Sequence, residues 1–331
     1  MSSPTFLVRV DPSSAMRSVA RSLLTMPTRR SKHGQGKVKT GRKIFKTAKC
    51  VLLPNKLEKA FEADTPLRMK RMFEDLPAYQ KWISQIEESL EDPDVPRSKF
   101  RRGSKQTSLT VKTTLNNEYL EQFGDMSVPL ERSEQHPQNG TTFDRFDAPF
   151  SFLLEFMKAK AGPTNYRLYL AQHSLSDLPE AMRADLPTPD IMKSLGGKGD
   201  IYGSSLWMGK APTRTPLHRD PNPNLFVQIS GRKTVRLMRP EVGKELYEKV
   251  RAMYNKSGGS ANLRGEEMMQ GEEFNALERA VWGDKSSERG QSMGVEATLK
   301  KGDGLYIPKG WWHAVRGEGK GPIISVNWWF R

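Results

Sequence analysis

The chain has 331 residues, 36% hydrophobic and 9% aromatic, enough to bury a substantial core in one large domain or two small ones. It contains no apolar run of about 18 residues, which argues against a membrane-spanning helix, and its single cysteine, Cys50, excludes an internal disulfide and a cysteine-rich zinc site and suits a reducing compartment. The net charge of +15 suggests a polyanion-binding protein until it is mapped: six arginines and six lysines against Asp11 give residues 1–50 a charge of +11 and leave +4 for the other 281.

Residues 1–50 read as a basic arm rich in Ser and Thr. Ser13–Met26 can form a helix with Met16, Val19, Ala20, Leu23 and Leu24 on one face and Arg17 and Arg21 off it, the pattern of a mitochondrial transit peptide. A nuclear localisation signal between Arg29 and Lys49, or a plain solvated tail on a cytoplasmic protein, reads from the same residues. Residues 51–148 read as a mixed helix and strand region that packs on the domain after it. Within it, Met69, Met72, Phe73 and Leu76, then Trp82, Ile83, Ile86 and Leu90, predict two surface helices. Ser108–Thr114 and Val128–Arg132 read as short strands, Ser133–Thr142 as a loop containing Pro137 and Gly140, and Phe150–Met157 as an apolar helix.

From Tyr166 the pattern changes to short β segments punctuated by Pro and Gly: Tyr166–Ala171, Ser204–Met208, Leu225–Ile229, Thr234–Met238, Leu305–Ile307, Trp312–Val315 and Ile323–Trp329. Such a series predicts a mainly β sandwich or barrel with surrounding helices. Residues 241–290 interrupt it with a charged, helical insert broken at Ser257–Ser260, expected to form a lid or a decoration over the barrel.

Chemistry concentrates between Thr215 and Lys233, where His218 and Asp220 stand two apart. Side chains alternate along a strand, so both project to the same side. His313 lies 95 residues on, at the start of another predicted strand. Two imidazoles and one carboxylate leave three octahedral positions open, the pattern of iron(II) in a non-haem oxygenase, whereas zinc favours a closed tetrahedral site or one open position. Alone, the His-x-Asp pair is a weak signal, since a surface histidine beside a solvated aspartate also produces it.

The residues around these positions resemble the JmjC and cupin-like oxygenases, in particular the small arginyl-hydroxylase-type members and the hypoxia-response asparaginyl hydroxylase. The similarity runs from about Phe150 to Arg331 through Tyr169-Leu-Ala-Gln-His173, the Thr215–Lys233 block, Ile307-Pro308 with Trp312-His313, and Ser325-Val-Asn-Trp-Trp329. It implies a double-stranded β-helix, a jelly-roll core, over 149–331 and an iron(II)- and 2-oxoglutarate-dependent dioxygenase. His218, Asp220 and His313 would hold the iron. Lys233, on the next hairpin strand past the Ser230-Gly231 turn, would meet the distal carboxylate of 2-oxoglutarate. Thr215 and Tyr169 would add hydroxyl donors, and Asn224 and Asn327 match polar positions of the family's cofactor pocket.

Trp207, Phe226 and Trp329 are candidates for a substrate pocket, and Arg219 is expected to point to solvent or a barrel rim. The resemblance favours hydroxylation of a protein or peptide side chain over demethylation. A modified tRNA base, with the basic arm touching RNA, is the alternative substrate, and a non-catalytic cupin-like binding module is the rival class. The chain ends two residues after Trp329 without the helical dimerisation module of the asparaginyl hydroxylase, so a monomer fits as well as a homodimer.

Overall fold

The computed structural model describes residues 45–51, 63–89, 109–136, 140–159, 166–193, 200–254, 270–283 and 292–331. The helix expected at Ser13–Met26, the basic positions before Phe45 and the Ser257–Ser260 break lie outside these residues. The first 174 residues supply β1 (Phe45–Thr47), β2 (Lys49–Val51), β3 (Leu67–Met69), β4 (Ile83–Ser89), β5 (Leu109–Leu115), β6 (Ser127–His136), β7 (Gly140–Pro149) and β8 (Tyr166–Ser174). The C-terminal half supplies β9 (Ile201–Lys210), β10 (Thr213–Arg219), β11 (Asn224–Ser230), β12 (Arg232–Met238), β13 (Gly294–Leu299), β14 (Gly304–Ile307), β15 (Trp312–Glu318) and β16 (Pro322–Phe330).

These strands form a five-stranded sheet in the order β1-β13-β12-β15-β10 and a nine-stranded sheet in the order β2-β3-β14-β11-β16-β9-β8-β6-β7. From β9 onward the chain repeatedly changes sheet: β10 lies in the small sheet, β11 in the large, β12 and β13 in the small, then β14, β15 and β16 alternate. That winding is the double-stranded β-helix expected from the sequence. Phe226, Leu305 and Ile307 of the large sheet pack against Val235, Leu237, Leu299 and Val315 of the small one, so apolar burial between the layers holds the sandwich closed. On its other face the large sheet packs Leu130, Leu170, Leu206 and Trp328 in one cluster with Trp82, Phe150 and Leu153.

Several expectations need correction. The second predicted helix is strand β4, paired antiparallel with β5 from Ile83↔Leu115 to Ser89↔Leu109; the apolar spacing of Trp82, Ile83 and Ile86 imitates a helix, but pairing with a remote strand overrides local pattern. Of the first predicted helix, Leu67–Met69 is strand β3 and only Ala78–Lys81 further on is α-helical among the described residues. The predicted loop at Ser133–Thr142 is largely ladder, since β6 and β7 pair from Ser127↔Pro149 to His136↔Gly140. The bidentate Arg132–Asp144 pair, at 2.8 and 2.7 Å, locks opposite positions of that ladder together.

The hairpin reading of Lys233 also fails, because β11 and β12 belong to opposite sheets. Between them Gly231 adopts φ 73°, and a Cβ there would collide with the side chain of Ile323 and the carbonyl of Pro322, so a glycine is required for the crossing. The insert folds as two helices, Pro240–Ala252 and Gly271–Trp282. Tyr247, Val250, Leu277 and Val281 pack on Leu217, Met238, Trp312 and Ala314 of the small sheet. Gly243 lies so close over Trp312 that a side chain there would strike the indole. The insert therefore decorates the barrel's outer face. Strand β13, absent from the sequence reading, follows it. Among the described residues no helix is long and apolar enough to cross a membrane.

Candidate metal centre

Strands β10 and β15 are neighbours, and their register sets His218 directly opposite His313. Asp220 is the first residue but one past His218, just beyond the strand end, and the Gly310 N–H donates to its carbonyl at 3.3 Å, tying the turn before His313 to the end of β10. The ligand atoms of His218, Asp220 and His313 all lie within 4.8 Å of one another. His218 Nε2 stands 4.0 Å from Asp220 Oδ1, and His313 Nε2 3.7 Å from Oδ2.

Both imidazoles are oriented from behind. His218 Nδ1 lies 2.9 Å from the Pro216 carbonyl, and His313 Nδ1 3.1 Å from the Trp311 carbonyl. A carbonyl only accepts, so each Nδ1 carries the proton and each Nε2 keeps its lone pair for the shared point. Burial, followed by the neighbouring His218, pushes the His313 pKa down to about 4, so this ring is neutral near pH 7. For Asp220, burial raises the pKa, but the two imidazoles and the hydrogen bonds from Trp329 and Asn224 outweigh it and hold the carboxyl below its ordinary value. Its Oδ2 accepts from Trp329 Nε1 and from Asn224 Nδ2, each at 2.9 Å. Asn327 Nδ2 in turn donates to Asn224 Oδ1 at 2.8 Å. Asn224 and Trp329 therefore stand directly behind the carboxylate, a position no sequence pattern assigned to them.

Lys233 projects into the interior from the small sheet and is 4% exposed. Its ammonium donates to Ser325 Oγ at 2.6 Å and Tyr169 Oη at 3.1 Å, and lies 5.1 Å from the ring centre of Phe226. Among the described residues no carboxylate pairs with it. Burial lowers its pKa to about 7. A buried ammonium with only neutral partners is costly, and an incoming carboxylate offsets that cost. Ser325 is the residue of this cluster that the sequence reading left without a role, although it stands two before Asn327 and so shares its face. Tyr169 keeps its place because Gly209 opposite it has no Cβ to strike its ring.

The three ligands and Lys233 line one pocket of about 500 Å³. Thr215, Trp207 and Asn327 also line it, and the buried Oδ1 of Asn327 has no hydrogen-bond partner among the described residues. Phe226 sits under the ammonium and lines the same pocket as Trp207 and Trp329. Arg219 faces the other way, its guanidinium 5.7 Å from the ring centre of Trp312 under the insert helices. No described residue of the insert lines the pocket, which excludes those residues as a lid in this conformation. The donor set fits an octahedral metal such as iron(II) with positions left open, and Lys233 with Tyr169 and Ser325 fits the far carboxylate of 2-oxoglutarate.

Residues 54–331 match the family described as "Cupin-like domain". The chain belongs to that family. Among the curated relatives of this cupin-like chain, Lysine-specific demethylase JMJ30 of Arabidopsis thaliana is 29% identical over 62% of this chain and 43% of its own length. The Bifunctional peptidase and (3S)-lysyl hydroxylase JMJD7 of Homo sapiens is 28% identical over 55% of this chain and 58% of its own. The chain thus spans about half the length of these two relatives. Among solved structures, the ribosomal oxygenase YcfD of Escherichia coli in complex with cobalt and 2-oxoglutarate aligns over 84% of this chain and 51% of its own, at 14% identity and a TM-score of 0.37.

Proposed function

We propose that the chain is an iron(II)- and 2-oxoglutarate-dependent dioxygenase that hydroxylates a side chain of a protein. One observation carries this reading: an open two-histidine, one-carboxylate set and a buried ammonium without a carboxylate partner among the described residues face the same cavity. With iron and 2-oxoglutarate bound, one atom of dioxygen enters a substrate C–H bond and the other enters succinate as carbon dioxide leaves, the substrate and the 2-oxo acid each giving up two electrons.

The chain's own groups then have distinct tasks. His218 and His313 present Nε2 with the proton held at Nδ1. Asp220 supplies the negative ligand, steadied by Trp329 and Asn224. Lys233, Tyr169 and Ser325 form the polar end that selects a dicarboxylate, and the apolar walls at Phe226 and Val315 exclude water. The lysyl hydroxylase named above supports a protein substrate.

The test is succinate release in the presence of iron(II) and 2-oxoglutarate, with metal content measured alongside. His218→Ala and Asp220→Ala are expected to lose bound metal and to lower turnover by at least about a hundredfold. Undiminished turnover in both variants would refute the assignment.

A further inference from the structure

The Lys233 end of the cavity holds more hydrogen-bond donors than it can use. The ammonium donates to Ser325 Oγ and Tyr169 Oη, so both oxygens act as acceptors, and neither hydroxyl donates its own proton to another described residue. Burial pushes the Tyr169 pKa up, so the phenol keeps that proton. The ring of Phe226 closes the cluster on one side, its centre 5.1 Å from the ammonium. Among the described residues lining the pocket Asp220, at the metal centre, is the only carboxylate.

Such a cluster has two ways out of its mismatch. One is an incoming dicarboxylate. The other is chemical: the amine gives its proton to water and takes up carbon dioxide, which turns the cation into an anion on the same side chain. A buried ammonium without a counter-charge loses its proton readily. With the Lys233 pKa lowered by burial to about 7, about half of the chains carry the free amine near neutrality.

We propose that Lys233 is a carbon dioxide site: in the absence of 2-oxoglutarate its Nζ forms a carbamate held by Ser325 and Tyr169, and this adduct excludes 2-oxoglutarate. The Nζ lone pair forms an N–C bond to carbon dioxide, one C=O electron pair moves onto oxygen, and an N–H proton passes to water. Nothing is oxidised or reduced. The two hydroxyls turn from acceptors into donors toward the carbamate oxygens. Carbon dioxide suits the place because it is uncharged and crosses apolar surroundings at little cost. It needs neither a leaving group nor a modifying enzyme to reach a side chain that is 4% exposed. The exclusion of 2-oxoglutarate rests on the dioxygenase reading above, since carbamate and the far carboxylate then claim the same donors with the same charge. Turnover releases carbon dioxide into this cavity, so the adduct is a brake set by the reaction's own product and lifted by rising 2-oxoglutarate.

The experiment uses the full chain loaded with redox-inactive zinc, in buffer equilibrated with carbon-13 carbon dioxide and bicarbonate. Carbamate is read by nuclear magnetic resonance and fixed for peptide mass mapping by alkylation with a trialkyloxonium salt. The expected result is label on Lys233 that vanishes when carbon dioxide is swept out and falls at least about tenfold under saturating 2-oxoglutarate. Label confined to the N-terminal amine and other lysines overturns the proposal. A bicarbonate signal without a fixed adduct overturns it too, since that marks a merely bound anion. Calorimetric titration then compares 2-oxoglutarate affinity with and without carbon dioxide at one pH and ionic strength, where a weakening of at least about threefold is expected. Label on Lys233 with unchanged affinity overturns the competition. Absence of 2-oxoglutarate binding in both buffers defeats the dioxygenase reading, while the label still decides the adduct.

Tyr169→Phe and Ser325→Ala each remove one donor and are expected to lower the Lys233 label by about tenfold, with label on the N-terminal amine level as the internal standard. Unchanged Lys233 label in both variants would overturn the role given to the two hydroxyls.

Discussion

The two faces of the small sheet differ in how completely their charges are matched. On the outer face Arg316 pairs with Glu278 at 2.7 Å and Arg236 with Glu296 at 2.7 Å, and both guanidinium groups lie over the ring of Trp282, 4.4 and 4.6 Å from its centre. On the inner face of the same strands Lys233 meets, among the described residues, only hydroxyls and aromatic rings, and His218, His313 and Asp220 crowd one point. Alternation along β10, β12 and β15 assigns each residue to one face or the other. The outer face is self-sufficient and holds the insert helices down. The inner face is complete only with added ligands, and such incompletely matched polar groups are tolerated where they serve a purpose.

The largest expected separation of the two faces comes from Lys233→Met. Loss of its charged hydrogen bonds is expected to weaken 2-oxoglutarate binding about tenfold to a hundredfold, while thermal unfolding stays level or moves upward, because a costly buried ammonium is gone. Calorimetric titration and a melting curve on one sample check both halves; a large drop in melting temperature would mean that Lys233 holds the fold. Trp282→Ala is the converse. It removes the ring between Arg236 and Arg316 and is expected to cost about 2–4 kcal/mol of stability by denaturant unfolding, with metal affinity unchanged.

A smaller effect is expected at the metal. Trp329→Phe deletes one donor to Asp220 and should weaken metal binding by about tenfold, read by competition with a chelator. The last concerns pH. Burial pushes Lys233 down to about 7, and only its charged form matches a dicarboxylate. Affinity for 2-oxoglutarate should therefore fall as pH rises from 7 to 9, by up to about tenfold per unit, with proton uptake on binding. Titrations in buffers of different ionisation enthalpy measure that uptake, and flat affinity over this range would contradict it.

Much of the inner face was legible before the fold. Strand alternation turns the spacing of two between His218 and Asp220 into a shared direction, a weak signal by itself, while β8, β9, β11, β12 and β14 to β16 announce themselves through short apolar runs broken by Gly and Pro. The joining of His313 and Lys233 to that pair came from the family resemblance, since no local pattern measures a distance across 95 residues. Ser325 contacts a lysine 92 positions away, and Asn224 reaches Asp220 only because a turn folds them together, so their tasks emerge from tertiary structure. Strand β4 was misread for the opposite reason: its local spacing is helical, and only the pairing with β5 decides. Gly294–Leu299 alternates as a strand should, but it follows a charged helical insert that masked it.

Strand β10 closes one edge of the small sheet, with β15 as its sole ladder partner among the described residues. The three ligand side chains straddle that last seam. A bound ion would act as a rivet across it, fastening the outermost strand to its neighbour by bonds stronger than the ladder's own. Amide exchange in β10 should then slow on metal loading more than in β12, which is already held on both sides, so occupancy of the centre would be written into the rigidity of one border of the barrel.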